Sequence, residues 1–121
     1  MLIIDSHLDI AYNALDWNRD LTQPITQIRA DEAGMGQKGR GAGVVNFAEL
    51  RRGGIGLFFV TVHCRLASMG KRFAGARTQD IAYAKARGEL AYYQLMEARG
   101  FLRQVRNCAE LDEHLAAWDK D

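Results

Sequence analysis

Two residues near the start of the chain could do metal chemistry. The segment IIDSHLDI places His7 and Asp9 with one residue between them, directly after a short apolar run. In a strand, residues i and i+2 point to the same face. The imidazole of His7 and the carboxylate of Asp9 can therefore converge on one point while Leu8 turns away. Imidazole nitrogen and carboxylate oxygen are both zinc ligands, at roughly 2.0–2.2 Å. The position matters as much as the spacing. In parallel α/β folds, and in (β/α)8 barrels in particular, chemistry sits at the C-terminal ends of strands, and the pair falls at such an end. A histidine capping a strand end beside an unrelated aspartate would give the same letters. If His7 is a ligand, its other ring nitrogen needs a carboxylate or carbonyl to fix the tautomer. Asp5 is close enough in sequence, provided the strand stays regular that far.

Other chemistry-bearing residues are fewer. His63 and Cys64 end the second strand candidate and could face the same rim, where a third ligand or a backbone-satisfied histidine are both open. His114 sits between Leu111 and Leu115 and reads as solvent-facing. Cys64 and Cys108 are too few and too far apart for a disulfide framework or a zinc knuckle, and read as reduced thiols. The stretch GMGQKGRGAG, residues 34–43, matches neither G-x-G-x-x-G nor G-x-x-x-x-G-K-[ST], and no strong helix follows it at once. The basic loop with Arg65, Lys71, Arg72 and Arg77, with Phe73 among them, reads as a solvated loop near a site mouth, since no wider basic surface accompanies it. Tyr83, Tyr92, Tyr93 and Trp118 stand at helical spacing and read as packing residues.

The elements that must position the pair follow from the apolar pattern. Leu2 to Asp5 fits a buried strand. Residues 10–43 hold the only proline, Pro24, and the glycine-rich stretch, and read as a long loop. VVNFAELRRGG reads as a short strand or turn and then a helical turn stopped by Gly53 and Gly54. Leu57 to Val62 is the strongest strand signal, apolar and β-branched as for a strand buried on both faces. Thr78 caps a long helix with Ile81, Ala84, Gly88, Ala91, Tyr92 and Leu95 on one face and Gly100 at its end. FLRQVRN reads as a short strand. Asn107 and Glu110 form a capping-box-like start to a last helix, where Leu111, Leu115 and Trp118 share a face. The order is that of an α/β fold with a parallel sheet.

Composition bounds the function. A chain of 121 residues is one domain at most. Hydrophobic content of 48% and charged content of 26% are those of a soluble globular protein. A net charge of +1 gives no global attraction to nucleic acid or anionic membrane. No apolar run approaches a membrane-spanning segment, and no signal peptide is visible, so a cytoplasmic location is expected.

DSHLDIAYNALDW followed by FAELRRGGIGLFFVTVHC resembles the N-terminal part of the membrane (renal-type) dipeptidase family of metallopeptidases. Members begin with a strand ending in D-[GS]-H-x-D, here Asp5, Ser6, His7, Leu8 and Asp9. A segment like L-x-x-G-G-x-G follows, here Leu50 to Gly56, and then an apolar strand, here Leu57 to Val62. The resemblance covers about the first 100 residues. Ser6 stands where glycine is commoner and Leu8 where asparagine is commoner.

The resemblance implies a metal-dependent-hydrolase-type (β/α)8 barrel with a binuclear zinc site that hydrolyses dipeptides. In it His7 and Asp9 ligate one zinc and neither is the general base. The family's bridging glutamate and further histidine ligands come later than any position here. A whole barrel takes about 250 residues, so residues 1–121 would be one partial domain, its N-terminal portion, inactive alone. Its expected partners are a dipeptide substrate and, through an open sheet edge, further copies of itself. The other reading is a non-catalytic α/β fragment or interaction module in which H-x-D is incidental.

Overall fold

The computed structural model describes residues 1–67 and 75–118. It is mixed α/β, in the order β1 (Ile3–Leu8), α1 (Ile10–Leu15), α2 (Ile25–Asp31), α3 (Phe47–Arg52), β2 (Ile55–Val60), α4 (Gln79–Ala98) and α5 (Cys108–Trp118). Among the described residues β1 and β2 form a two-stranded parallel sheet. A parallel pair needs a crossover between its strands, and α1, α2 and α3 make it. The register runs from Ile3 opposite Ile55 to Leu8 opposite Val60, with irregularities after Ile3 and after Asp5. The two C-terminal strand ends therefore lie side by side. Of the expected basic loop, Lys71, Arg72 and Phe73 lie outside the described residues. Arg65 and Arg77 flank a parallel bridge between Leu66 and Ala76.

Four elements differ from expectation, the first being β1, expected as a buried strand but with Ile3 39% and Ile4 58% exposed. Residues 10–43 are not one loop, because α1 and α2 occupy part of them. These helices have 6 and 7 residues, too few turns for a 3.6-residue period to show in sequence. Tertiary burial fixes them instead: Ile10, Ala11 and Ile28 enter the core with Leu21, Phe47, Leu50, Tyr93 and Met96. FLRQVRN forms no strand. β2 is not covered on both faces, since Phe59 is 62% and Val60 42% exposed.

The long helix is where expected, but its buried face is not. Thr78 caps it, its hydroxyl accepting from the Ile81 amide at 3.2 Å. Inward-facing residues are Glu89, Tyr93 and Met96, at the i, i+4, i+7 spacing of one helical stripe. Ile81 and Leu95, placed on the apolar face by sequence, are exposed. The error has a physical source: a carboxylate sits in the middle of the true stripe, and charge is normally evidence of an outer face.

The glycine-rich stretch is held by a buried triad rather than left loose. The Arg19 guanidinium grips Glu32 through Nε at 2.6 Å and Nη2 at 3.1 Å. Arg40 Nη1 reaches the same carboxylate at 2.9 Å, and the Gly41 amide donates to it at 2.7 Å. Both guanidinium groups lie over the Trp17 ring, 4.6 and 4.8 Å from its centroid. Gly39, at φ +92°, passes so close that a Cβ there would stand 3.3 Å from the Trp17 ring. The Gly41 amide of this stretch thus serves the chain's own glutamate.

α5 starts with the expected capping box, Asn107 Oδ1 accepting from the Glu110 amide at 3.0 Å and Asn107 Nδ2 donating to Glu110 Oε1 at 3.1 Å. His114 is not solvent-facing. Its Nε2 stands 2.6 Å from the Gly56 carbonyl of β2. A side chain at Gly56 would meet Leu2 and the Trp118 ring at 2.9 Å, so glycine is what lets α5 lie against the strand.

Candidate metal centre

The parallel register delivers four polar side chains to one edge. His7 is the penultimate residue of β1, and Asp9 follows the strand and opens α1. Beside them the chain leaves β2 through Thr61, whose amide still donates to Leu8 O at 3.2 Å. His7 Nε2 stands 3.2 Å from Asp9 Oδ1. The same oxygen accepts a 2.5 Å hydrogen bond from the Thr61 hydroxyl, and His63 Nδ1 lies 3.9 Å from it. The convergence expected of the H-x-D pair is present, and His63 approaches from the second strand.

The backbone around Asp9 is held at several points. Its carbonyl accepts from the Asn13 amide at 3.0 Å and from Asn13 Nδ2 at 2.8 Å. Asn13 in turn accepts from Arg19 Nη1 at 2.7 Å, which ties the site to the Glu32 triad. Asp5 serves the His7 backbone, its Oδ1 accepting from the His7 amide at 2.9 Å. It does not act as the expected ring partner at that contact.

α4 supports the same edge from below. The Tyr93 hydroxyl accepts from the Ala11 amide at 3.1 Å and donates to the Thr61 carbonyl at 2.8 Å. Glu89, only 1% exposed, accepts from the His63 amide at 2.6 Å. Its other oxygen and His63 Nδ1 are buried without a hydrogen-bond partner among the described residues. The His63 ring packs on Tyr12 with centroids 4.7 Å apart. The Cys64 thiol donates to the Arg65 carbonyl at 3.3 Å.

The electrostatics favour a charged Asp9. The Thr61 hydroxyl is the main cause that holds its carboxyl below the ordinary value. The imidazoles of His7 and His63 act in the same direction, and partial burial opposes them. Glu89 moves the other way, pushed up by burial against the relief of the His63 amide. Burial also raises the Tyr93 hydroxyl.

Two ligands of a tetrahedral zinc at 2.0–2.2 Å are about 3.3–3.6 Å apart. The His7–Asp9 separation of 3.2 Å is close to that span and equally that of a direct hydrogen bond between the two side chains, so the pair amounts at most to part of a donor set. It is not a whole one. Among the described residues no group of three or more His, Cys, Asp and Glu side chains is gathered tightly enough to hold a metal ion.

Sequence reasoning found His7, Asp9 and His63 but missed Thr61, Asn13, Tyr93 and Glu89. Thr61 could have been found, since its neighbours put it at the end of the second strand beside Asp9. Nothing in the letters marks Glu89 as buried.

No family model, curated protein or solved structure matches the chain. Among the described residues no helix is long and apolar enough to cross a membrane.

Proposed function

We propose that this chain is the N-terminal, metal-holding part of a zinc-dependent dipeptidase built on a (β/α)8 barrel. The observation that carries the reading is the meeting of His7 and Asp9 at the C-terminal edge of a parallel strand pair, where barrel hydrolases keep their chemistry. The dipeptide substrate and the second zinc rest on the sequence resemblance. His7 and Asp9 would hold one zinc, with the remaining ligands supplied from outside this chain. Bound zinc in such a site acidifies water and polarises a carbonyl.

The chain's own residues prepare that site. Thr61 keeps the Asp9 carboxylate charged and aimed, Asn13 fixes its backbone, and Asp5 fixes the His7 backbone. None of these is placed to act as general base. A non-catalytic α/β interaction module is the second reading, favoured by the lack of a third close ligand among the described residues.

Zinc titration of the chain by calorimetry separates the two. Two protein ligands are fewer than the three or four of a stable zinc site, so weak binding is expected, lost in both His7→Ala and Asp9→Ala. Tight stoichiometric binding that survives His7→Ala would end the assignment. In a complete enzyme either variant should abolish dipeptide hydrolysis with the fold intact.

A further inference from the structure

We propose that α4 fixes the orientation of the Asp9 carboxylate, with Tyr93 and Glu89 as positioning residues acting through Thr61 and His63. The inference deepens the reading of Asp9 as a metal ligand and rests on it for its functional meaning. Three facts carry it. Tyr93, 8% exposed, spans the two strand ends with one hydroxyl, accepting from Ala11 just after Asp9 and donating to the Thr61 carbonyl. Glu89 lies one turn earlier on the same stripe and holds the chain two residues further on, at the His63 amide. Between these two anchors the Thr61 hydroxyl is presented to Asp9 Oδ1.

A carboxylate buried to 1% exposure with one oxygen unpartnered is costly to keep. Apolar residues at position 89 would complete the stripe of Tyr93 and Met96 more cheaply. The acceptor at position 89 does what an apolar side chain cannot: it satisfies the His63 amide and so fixes the path of residues 61–63. With that path fixed, the Thr61 Cβ stays where one rotamer brings its hydroxyl onto Asp9 Oδ1. Metal-ligating carboxylates depend on such partners for their orientation. Here the partner is itself held by a helix far along the chain.

The test uses the whole 121-residue chain and two readouts. The first is the Thr61 side-chain rotamer from three-bond NMR couplings, measured without metal. The second is Co2+ affinity from visible absorption. The unchanged chain should show one Thr61 rotamer. Tyr93→Phe and Glu89→Ala should average it and weaken Co2+ binding about tenfold, the lower end of the loss typical when a ligand's own partner is removed. Glu89→Gln keeps an acceptor for the His63 amide and should restore both. Thr61→Val should weaken Co2+ equally with circular dichroism unchanged.

One Thr61 rotamer persisting in both Tyr93→Phe and Glu89→Ala would overturn the proposal. Averaging in Glu89→Gln as severe as in Glu89→Ala would overturn the part assigned to Glu89. If Tyr93→Phe fails to fold, the two Glu89 variants carry the decision. Should the Thr61 rotamer respond while Co2+ binding is no tighter than in His7→Ala, the metal reading falls and the hold of α4 on Asp9 stands.

Discussion

At the scale of residues, the candidate site divides into side chains that the sequence announces and side chains that only the fold assembles. His7 and Asp9 are two letters apart, and strand geometry alone predicts their convergence. Thr61 and Glu89 come from 52 and 80 positions beyond Asp9, and no local pattern links them. The strongest influence on Asp9 is nevertheless Thr61. Replacing its hydroxyl by a methyl group in Thr61→Val removes that hydrogen bond and little volume. The Asp9 carboxyl should then titrate higher, closer to its ordinary value of 3.8, as followed by carbonyl carbon shifts against pH. An unmoved Asp9 titration would mean that the imidazoles alone keep it charged.

At the scale of elements, β1, α3, β2, α4 and α5 were legible because each is marked by a cap or a dense apolar run. α1 and α2 were not, since each is little more than a turn and a half. The Arg19–Glu32–Arg40 triad was also invisible, its members standing 13 and 8 residues apart with no local pattern to link them. It has a clear acid signature. The Arg19 guanidinium, aided by the Gly41 amide and by Arg40, lowers Glu32 from 4.5 to about 2 against the opposing effect of burial. A depressed carboxyl contributes stability that is fully present above its unfolded value and is lost as pH falls through its folded one. The contribution is at most ~3 kcal/mol and should disappear progressively between pH 4.5 and about 2. Glu32→Ala takes away the carboxylate shared by two half-buried guanidinium groups, which keep the neutral acceptors Asn13, Gly39, Gln37 and Trp17. It should cost about 3 kcal/mol at neutral pH, the low end for breaking a buried ion pair. Denaturant titration followed by Trp17 emission reads both effects, and an acid midpoint unchanged by the substitution would contradict them.

The docking of α5 gives a second test at this scale. His114 and Trp118 seat the helix on the Gly56 backbone. Gly56→Val would push a side chain into Leu2 and the Trp118 ring. Loss of α5 from the sheet, seen as red-shifted Trp118 emission and reduced helicity, is the expected result. An unaltered spectrum would show that the helix adjusts without detaching.

At the scale of the whole molecule, apolar surface is left uncovered where the sequence expects cover. Leu57 to Val62 reads as a strand enclosed on both faces, yet Phe59, Val60 and Val62 are exposed. An open apolar groove runs between β2, α4 and α5, lined by Leu57, Phe59, Leu90, Leu102, Val105 and Leu111. Two parallel strands with no third partner among the described residues make a sheet with open edges, and open apolar edges invite pairing with another chain. Single exposed apolar residues need no explanation, but a strand and a groove that adjoin do. Self-association through β2 is therefore expected of these 121 residues in isolation. Sedimentation velocity should show a mass that rises with concentration, and Phe59→Lys, which places a charge in the exposed row, should return the species to monomer without loss of helicity. A concentration-independent monomer for the unsubstituted chain, unfolding in one cooperative step, would show that the uncovered β2 surface is tolerated. It would favour a self-sufficient module over a portion of a larger barrel.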